Sequence, residues 1–127
     1  MKILIDTQSF IWFFEDNPRL PASVRLFMES ENNLAVSIAS FWEIAIKTSL
    51  GKLSVPENIS GLMDKALSNG FQILPIEREH LIVLSTLEFI HRDPFDRIII
   101  AQAIAENMPL VSSDDVFKQY PVNRVWE

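Results

Sequence analysis

Apolar residues follow two spacings along this chain. Ile3-Leu4-Ile5 run without interruption, β-branched at both ends, and stop at Asp6. That is the pattern of a strand covered on both faces, the usual state of a parallel strand in an α/β sheet. Leu34-Ala35-Val36 and Leu110-Val111 repeat it, and residues 71–74 resemble a further strand. Residues 122–126 predict a last strand at a sheet edge, because Pro121 adjoins it. Between these runs the apolar spacing changes to three and four, the period of a helix. An aromatic-rich turn over residues 9–14 ends at Asn17-Pro18, and Pro21 opens a second helix carrying Val24, Phe27 and Met28. Phe41, Ile44, Ala45 and Thr48 define a third, capped by Ser37 or Ser40 and ended by Gly51. Residues 59–68 and 78–89 predict two more, the first stopped by Asn69-Gly70. Asp93-Pro94 is the sharpest boundary. It offers an N-cap followed by proline at the first helical position, with Asp96 at the third and an apolar run from Ile98 to Ala105 behind. After Leu110-Val111 a polar corner, Ser112-Ser113-Asp114-Asp115, leads into a short helix through Val116-Phe117.

Strands thus alternate with helix-length crossovers, which predicts an α/β fold with a mainly parallel sheet of four to five strands, covered on both faces. A length of 127 residues suits one domain spanning 1–127. No apolar run reaches the ~18 residues of a membrane span, so no membrane partner is expected. Cysteine is absent, which removes disulfides and thiolate ligands and fits a cytoplasmic address. The formal net charge of -6 gives no global basic footprint for nucleic acid. Acidic residues gathered to hold a cation would give the same excess.

In open α/β sheets ligands bind outside the carboxyl ends of the strands. Asp6 follows the first strand and Asp114 the fourth, while Asp96 lies in the first turn of the helix feeding that fourth strand. These three can meet if the two strands are neighbours, and Glu43, near the start of its helix, has the reach to join them. Carboxylates sharing a pocket raise one another's pKa unless a cation is present. An all-oxygen set with neither Cys nor a paired His motif suits Mg²⁺ or Mn²⁺ rather than zinc. Each acid also has a purely structural use: Asp6 in a turn, Asp96 at the N3 position of a capped helix, Glu43 paired with Lys47 one turn on, and Asp114 or Asp115 as a cap. Lys47, Lys52, Arg92 and Arg97 are the basic residues expected nearest the crevice, as phosphate contacts or as salt-bridge partners. His80 is expected to be packed or exposed within its helix; His91 could position substrate or finish its loop. Phe10, Trp12, Phe13 and Phe14 are expected in the core or a self-association contact, with base stacking as the other use.

Together these segments resemble the PIN-domain ribonucleases of the VapC toxin family. The resemblance rests on Leu4-Ile5-Asp6-Thr7, on residues 40–47 (SFWEIAIK) with Gly51-Lys52-Leu53, on residues 91–97 (HRDPFDR) followed by Ala101-Gln102-Ala103, and on Leu110-Val111-Ser112-Ser113-Asp114 with Phe117 and Tyr120. It implies a PIN-like three-layer α/β/α sandwich. It places metal-binding acids at Asp6, Glu43 and Asp96, with Asp114 as a fourth and Asp115 as its competitor. Ser112 keeps a hydroxyl where the family prefers Thr, Thr7 adds another, and Asp93 matches a corner residue rather than a ligand. The resemblance further implies Mg²⁺- or Mn²⁺-dependent endonucleolytic cleavage of RNA, a cognate antitoxin and a homodimer. Three other readings compete. A flap-type nuclease would need a helical arch and threading segments. A receiver-like signalling domain would need paired acids after the first strand and an acid ending the third, where Leu74-Pro75 stand. A catalytically silent interaction module would keep the fold and lack turnover.

Overall fold

The computed structural model describes residues 2–127. The chain runs β1 (Ile3–Ile5), α1 (Thr7–Glu15), α2 (Ala22–Ser30), β2 (Leu34–Ser37), α3 (Ile38–Ser49), α4 (Ile59–Ser68), β3 (Gln72–Leu74), α5 (Arg78–Thr86), α6 (Pro94–Ala105), β4 (Leu110–Val111), a 3-10 turn (Asp115–Gln119) and β5 (Arg124–Val125). The order agrees with the sequence expectation throughout. The strands form one parallel sheet in the order β3-β2-β1-β4-β5, so β1 is central and β5 is at an edge.

Alternation along the strands assigns the two faces. Ile3, Ile5 and Val36 pack with Phe10, Met28, Phe41, Ile44 and Leu62 beneath α1 to α4. Leu4 and Ala35 point the other way, against Ile99, Ile100, Leu110 and Phe117 on the side of α5 and α6. This is the three-layer α/β/α sandwich. The aromatic cluster is core. Phe10 is fully buried and meets Phe14, Phe41 and Phe71 edge-on at 5.0, 5.5 and 5.6 Å, while Trp12 packs on Trp126. Helix α6 is buried from Arg97 to Ala103, as its mostly apolar run requires, and Gln102 within it donates to the Pro75 carbonyl. Among the described residues no helix is long and apolar enough to cross a membrane.

Three local readings change. Helix α1 begins at Thr7 rather than residue 9, because Asp6 is its N-cap. Helix α5 stops at Thr86 rather than 89, and the Leu87 and Glu88 carbonyls accept from the Arg97 guanidinium instead. Arg97 therefore does not face the crevice: it is buried, also donates to the Tyr120 hydroxyl at 3.3 Å, and lies over the Phe89 ring. One residue along a helix turns the side chain by ~100°, which takes position 97 away from the face that Asp96 occupies.

The chain leaves β1 toward β2 on one side, while β4 pairs with β1 on the other. That reversal makes a crevice between the carboxyl ends of β1 and β4, where ligands of such sheets bind.

Candidate metal centre

A cleft of about 330 Å³ opens at this crevice. Asp6, Glu43, Asp93, Asp96 and Asp114 line it, with Lys47 as the single basic residue of its wall among the described residues. Lys52 and Arg92 are exposed outside it. The four acids expected from the sequence thus share one cavity.

Asp6 is placed by its cap. Its Oδ1 accepts from the Ser9 N–H at 2.9 Å, and the residue is 5% exposed. Burial pushes its carboxyl above the usual range, partly offset by hydrogen bonds from the Ser112 hydroxyl and the Ser9 N–H. Ser112 Oγ itself accepts from the Asp114 N–H at 3.1 Å, which leaves its proton for Asp6. Next in the chain, the Thr7 hydroxyl donates to Ser40 Oγ at 2.8 Å and ties the start of α1 to α3. Ser37, rather than Ser40, caps α3.

Glu43 lies one turn into α3 and is also 5% exposed. Its Oε2 takes the Lys47 ammonium at 2.6 Å, while its Oε1 is buried without a hydrogen-bond partner. The helical pair and the cleft position therefore coexist. Asp93 caps α6, its Oδ1 accepting from the Phe95 and Asp96 amides at 2.9 and 3.2 Å. The Asp96 carboxyl is pushed up to about 8 by burial and by the charges of Asp93, Asp6, Glu43 and Asp114. Its Oδ2 lies 3.4 Å from His91 Nε2.

The structure separates the two consecutive acids after β4. Asp114 lines the cleft and caps the 3-10 turn through Val116 N–H at 3.0 Å. Asp115 turns outward to Arg124 and Lys118, each at 3.3 Å. His80 is buried in a structural role. Its Nδ1 accepts from the Glu77 N–H at 2.8 Å, so the proton is on Nε2, which meets Glu106 at 2.6 Å.

Two features escaped the sequence reading. Tyr120, from the far end of the chain, bonds His91 at 2.7 Å; nothing in the spacing of residues 29 apart signals that contact. The other is an aromatic contact beside two of the acids: Trp42, 57% exposed and adjacent in the chain to Glu43, meets Phe95, adjacent to Asp96, edge-on at 5.0 Å. Among the described residues no three His, Asp or Glu side chains stand close enough to form a ready-built ion cage. The acids share a cleft rather than a tight cluster, as mutual repulsion among carboxylates with one ammonium between them dictates.

Comparison with known proteins follows the same lines. Residues 3–123 match the family model of the PIN domain. Among solved structures, the chain is similar to VapBC2 from Rickettsia felis bound to a DNA fragment from their promoter, at 21% identity and a TM-score of 0.76 over 100% of each chain. It is similar to DNA-bound VapBC from Salmonella typhimurium at 16% identity and a TM-score of 0.74, covering 98% of this chain and 97% of that one. FitAcB from Neisseria gonorrhoeae gives 18% identity and a TM-score of 0.66, with 96% and 95% covered. No curated protein matches the chain.

Proposed function

The chain belongs to the PIN domain family, and on that premise we propose that it is a Mg²⁺- or Mn²⁺-dependent endoribonuclease, the toxin of a toxin–antitoxin pair acting in the cytoplasm. The observation that carries this reading is the convergence of Asp6, Glu43, Asp96 and Asp114 on one cleft at the carboxyl ends of β1 and β4. The residues fit a divalent cation. The donors are all oxygen, Glu43 Oε1 is buried without a partner, and Asp6 and Asp96 both carry carboxyls raised by burial. A cation relieves each of these costs at once, and the hard donor set favours Mg²⁺ or Mn²⁺.

When bound, such an ion supplies an acidified water and a polarised scissile phosphate. The side chains then divide the remaining work. Asp6, Glu43 and Asp96 hold the ion, and Asp114, on the exposed rim, holds it or orients the attacking water. The hydroxyls of Ser112 and Thr7 fix the surroundings of Asp6. Lys47 meets a phosphate of the RNA backbone, which matters because the chain carries a net charge of -6 and offers no broad basic surface. Attack by water leaves 5′-phosphate and 3′-hydroxyl ends.

The similar solved structures are of toxin–antitoxin complexes, which supports a cognate antitoxin here. An Arg or Lys of that partner placed among the acids would displace the cation. For a homodimer, the exposed stripe Trp42, Ile46 and Leu50 along α3 offers an apolar surface that spacing alone did not reveal. The catalytically silent reading draws support from one observation, the absence of a ready-built ion cage among the described residues. An RNA cleavage assay across a Mg²⁺ titration separates the two. Metal-dependent turnover by the native chain, abolished in a folded Asp6→Asn variant, is the expected result. Equal cleavage by Asp6→Asn would remove that residue from the mechanism, and no cleavage at any Mg²⁺ concentration would favour the silent module.

A further inference from the structure

His91 stands between the cleft and a buried network on its far side. Its Nε2 lies 3.4 Å from Asp96 Oδ2, and its Nδ1 lies 2.7 Å from the Tyr120 hydroxyl. Tyr120 is 4% exposed. Its oxygen also faces two groups that can only donate: the His91 backbone N–H at 3.2 Å and Arg97 Nη1 at 3.3 Å. Arg97 is held in turn by the Leu87 and Glu88 carbonyls and the Phe89 ring.

Counting protons decides the direction of every bond. A phenol has one proton and two lone pairs. The two obligate donors fill the lone pairs, so the phenolic proton goes to His91 Nδ1. That nitrogen is therefore an acceptor, and the ring proton sits on Nε2, aimed at Asp96. We propose that Arg97, Tyr120 and His91 form a positioning relay that selects this tautomer, so that the imidazole N–H steadies Oδ2 of Asp96 and leaves Oδ1 for a divalent cation. The inference rests on the reading that Asp96 holds the ion. It gives His91 and Tyr120 a task in ion binding without contact to the ion. Contacts of this kind are often long before a site is loaded, which accommodates 3.4 Å.

The test uses the full chain and Mn²⁺ alone, its affinity read by electron paramagnetic resonance. Nitrogen chemical shifts of His91 report the tautomer, and thermal unfolding checks each variant. Outer partners of metal ligands typically contribute ~10–100-fold in affinity, and His91→Ala should lose that much. His91→Gln, whose amide nitrogen reaches the position of Nε2, should recover most of it, and His91→Asn, which mimics Nδ1, should not. Tyr120→Phe should give a smaller loss and replace the single Nε2–H tautomer with a mixture. A native His91 protonated on Nδ1 alone would overturn the relay. So would His91→Ala and Tyr120→Phe variants that keep native Mn²⁺ affinity while Asp96→Asn loses it. If Asp96→Asn itself binds Mn²⁺ as the native chain does, the ion-holding role of Asp96 fails, and the relay loses its purpose whatever the tautomer.

Discussion

The two ends of α6 treat charge in opposite ways. At its carboxyl end Glu106 meets the buried His80 at 2.6 Å, and His80 is held on its other side by a backbone N–H. At its amino end Asp93 and Asp96 face Asp6, Glu43 and Asp114 across a cleft whose wall offers one ammonium. The first arrangement is complete without any visitor. The second keeps a carboxyl at about 8, although a helix amino terminus ordinarily favours the charged form. Acids that only stabilise a fold are matched within it, as Glu106 is. Acids left unmatched at the mouth of a sheet are the ones that the proposed cation would match.

The contrast can be broken most forcefully at Asp96. Asp96→Asn removes a proposed ion-holding oxygen, and metal-dependent RNA cleavage should fall by ~100-fold or more, read from initial rates at saturating Mg²⁺. Lys47→Met separates two uses of the ammonium. Loss of a charged phosphate contact should lower cleavage by ~10-fold. Mn²⁺ affinity should rise at the same time, since no resident cation then opposes the incoming one; unchanged values for both would reduce Lys47 to a helical salt bridge.

Titration gives a smaller effect. The Asp96 carboxyl moves from 3.8 to about 8 on folding, so the folded chain binds that proton more tightly than the unfolded one. The stability this contributes is full below 3.8 and is lost as pH rises through about 8. In chelator, the native midpoint of thermal unfolding should drop by roughly 10 °C or more between about pH 5 and about pH 8.5, and Asp96→Asn should reduce that slope. At the other end of the helix the change should be least. Glu106→Gln keeps an acceptor for His80 Nε2–H, and should cost under ~1 kcal/mol in denaturant melts while leaving cleavage alone.

Periodicity exposed most of this architecture because each element buries a continuous face, and the unbroken Ile3-Leu4-Ile5 run marked β1 as covered on both faces, in keeping with its central place in the sheet. Capping chemistry located Asp93 and the start of α6 for the same local reason. Position 97 misled because a charged residue in an apolar helix can be reached by carbonyls that no local pattern predicts. Those same carbonyls, of Leu87 and Glu88, explain why α5 ends early. The choice between Asp114 and Asp115 was likewise invisible along the chain. It follows from Arg124, on the edge strand, which draws Asp115 outward. Spacing between acids was the least legible feature, since it depends on repulsion in three dimensions.

The edge-on contact of Trp42 with Phe95 has a practical consequence. Each ring is the chain neighbour of an acid on opposite banks of the cleft, so a change in the separation of α3 and α6 alters the surroundings of one indole. The other two indoles, Trp12 and Trp126, pack against each other elsewhere at 6.4 Å. Fluorescence from that single position therefore follows the spacing of α3 and α6 without any added label.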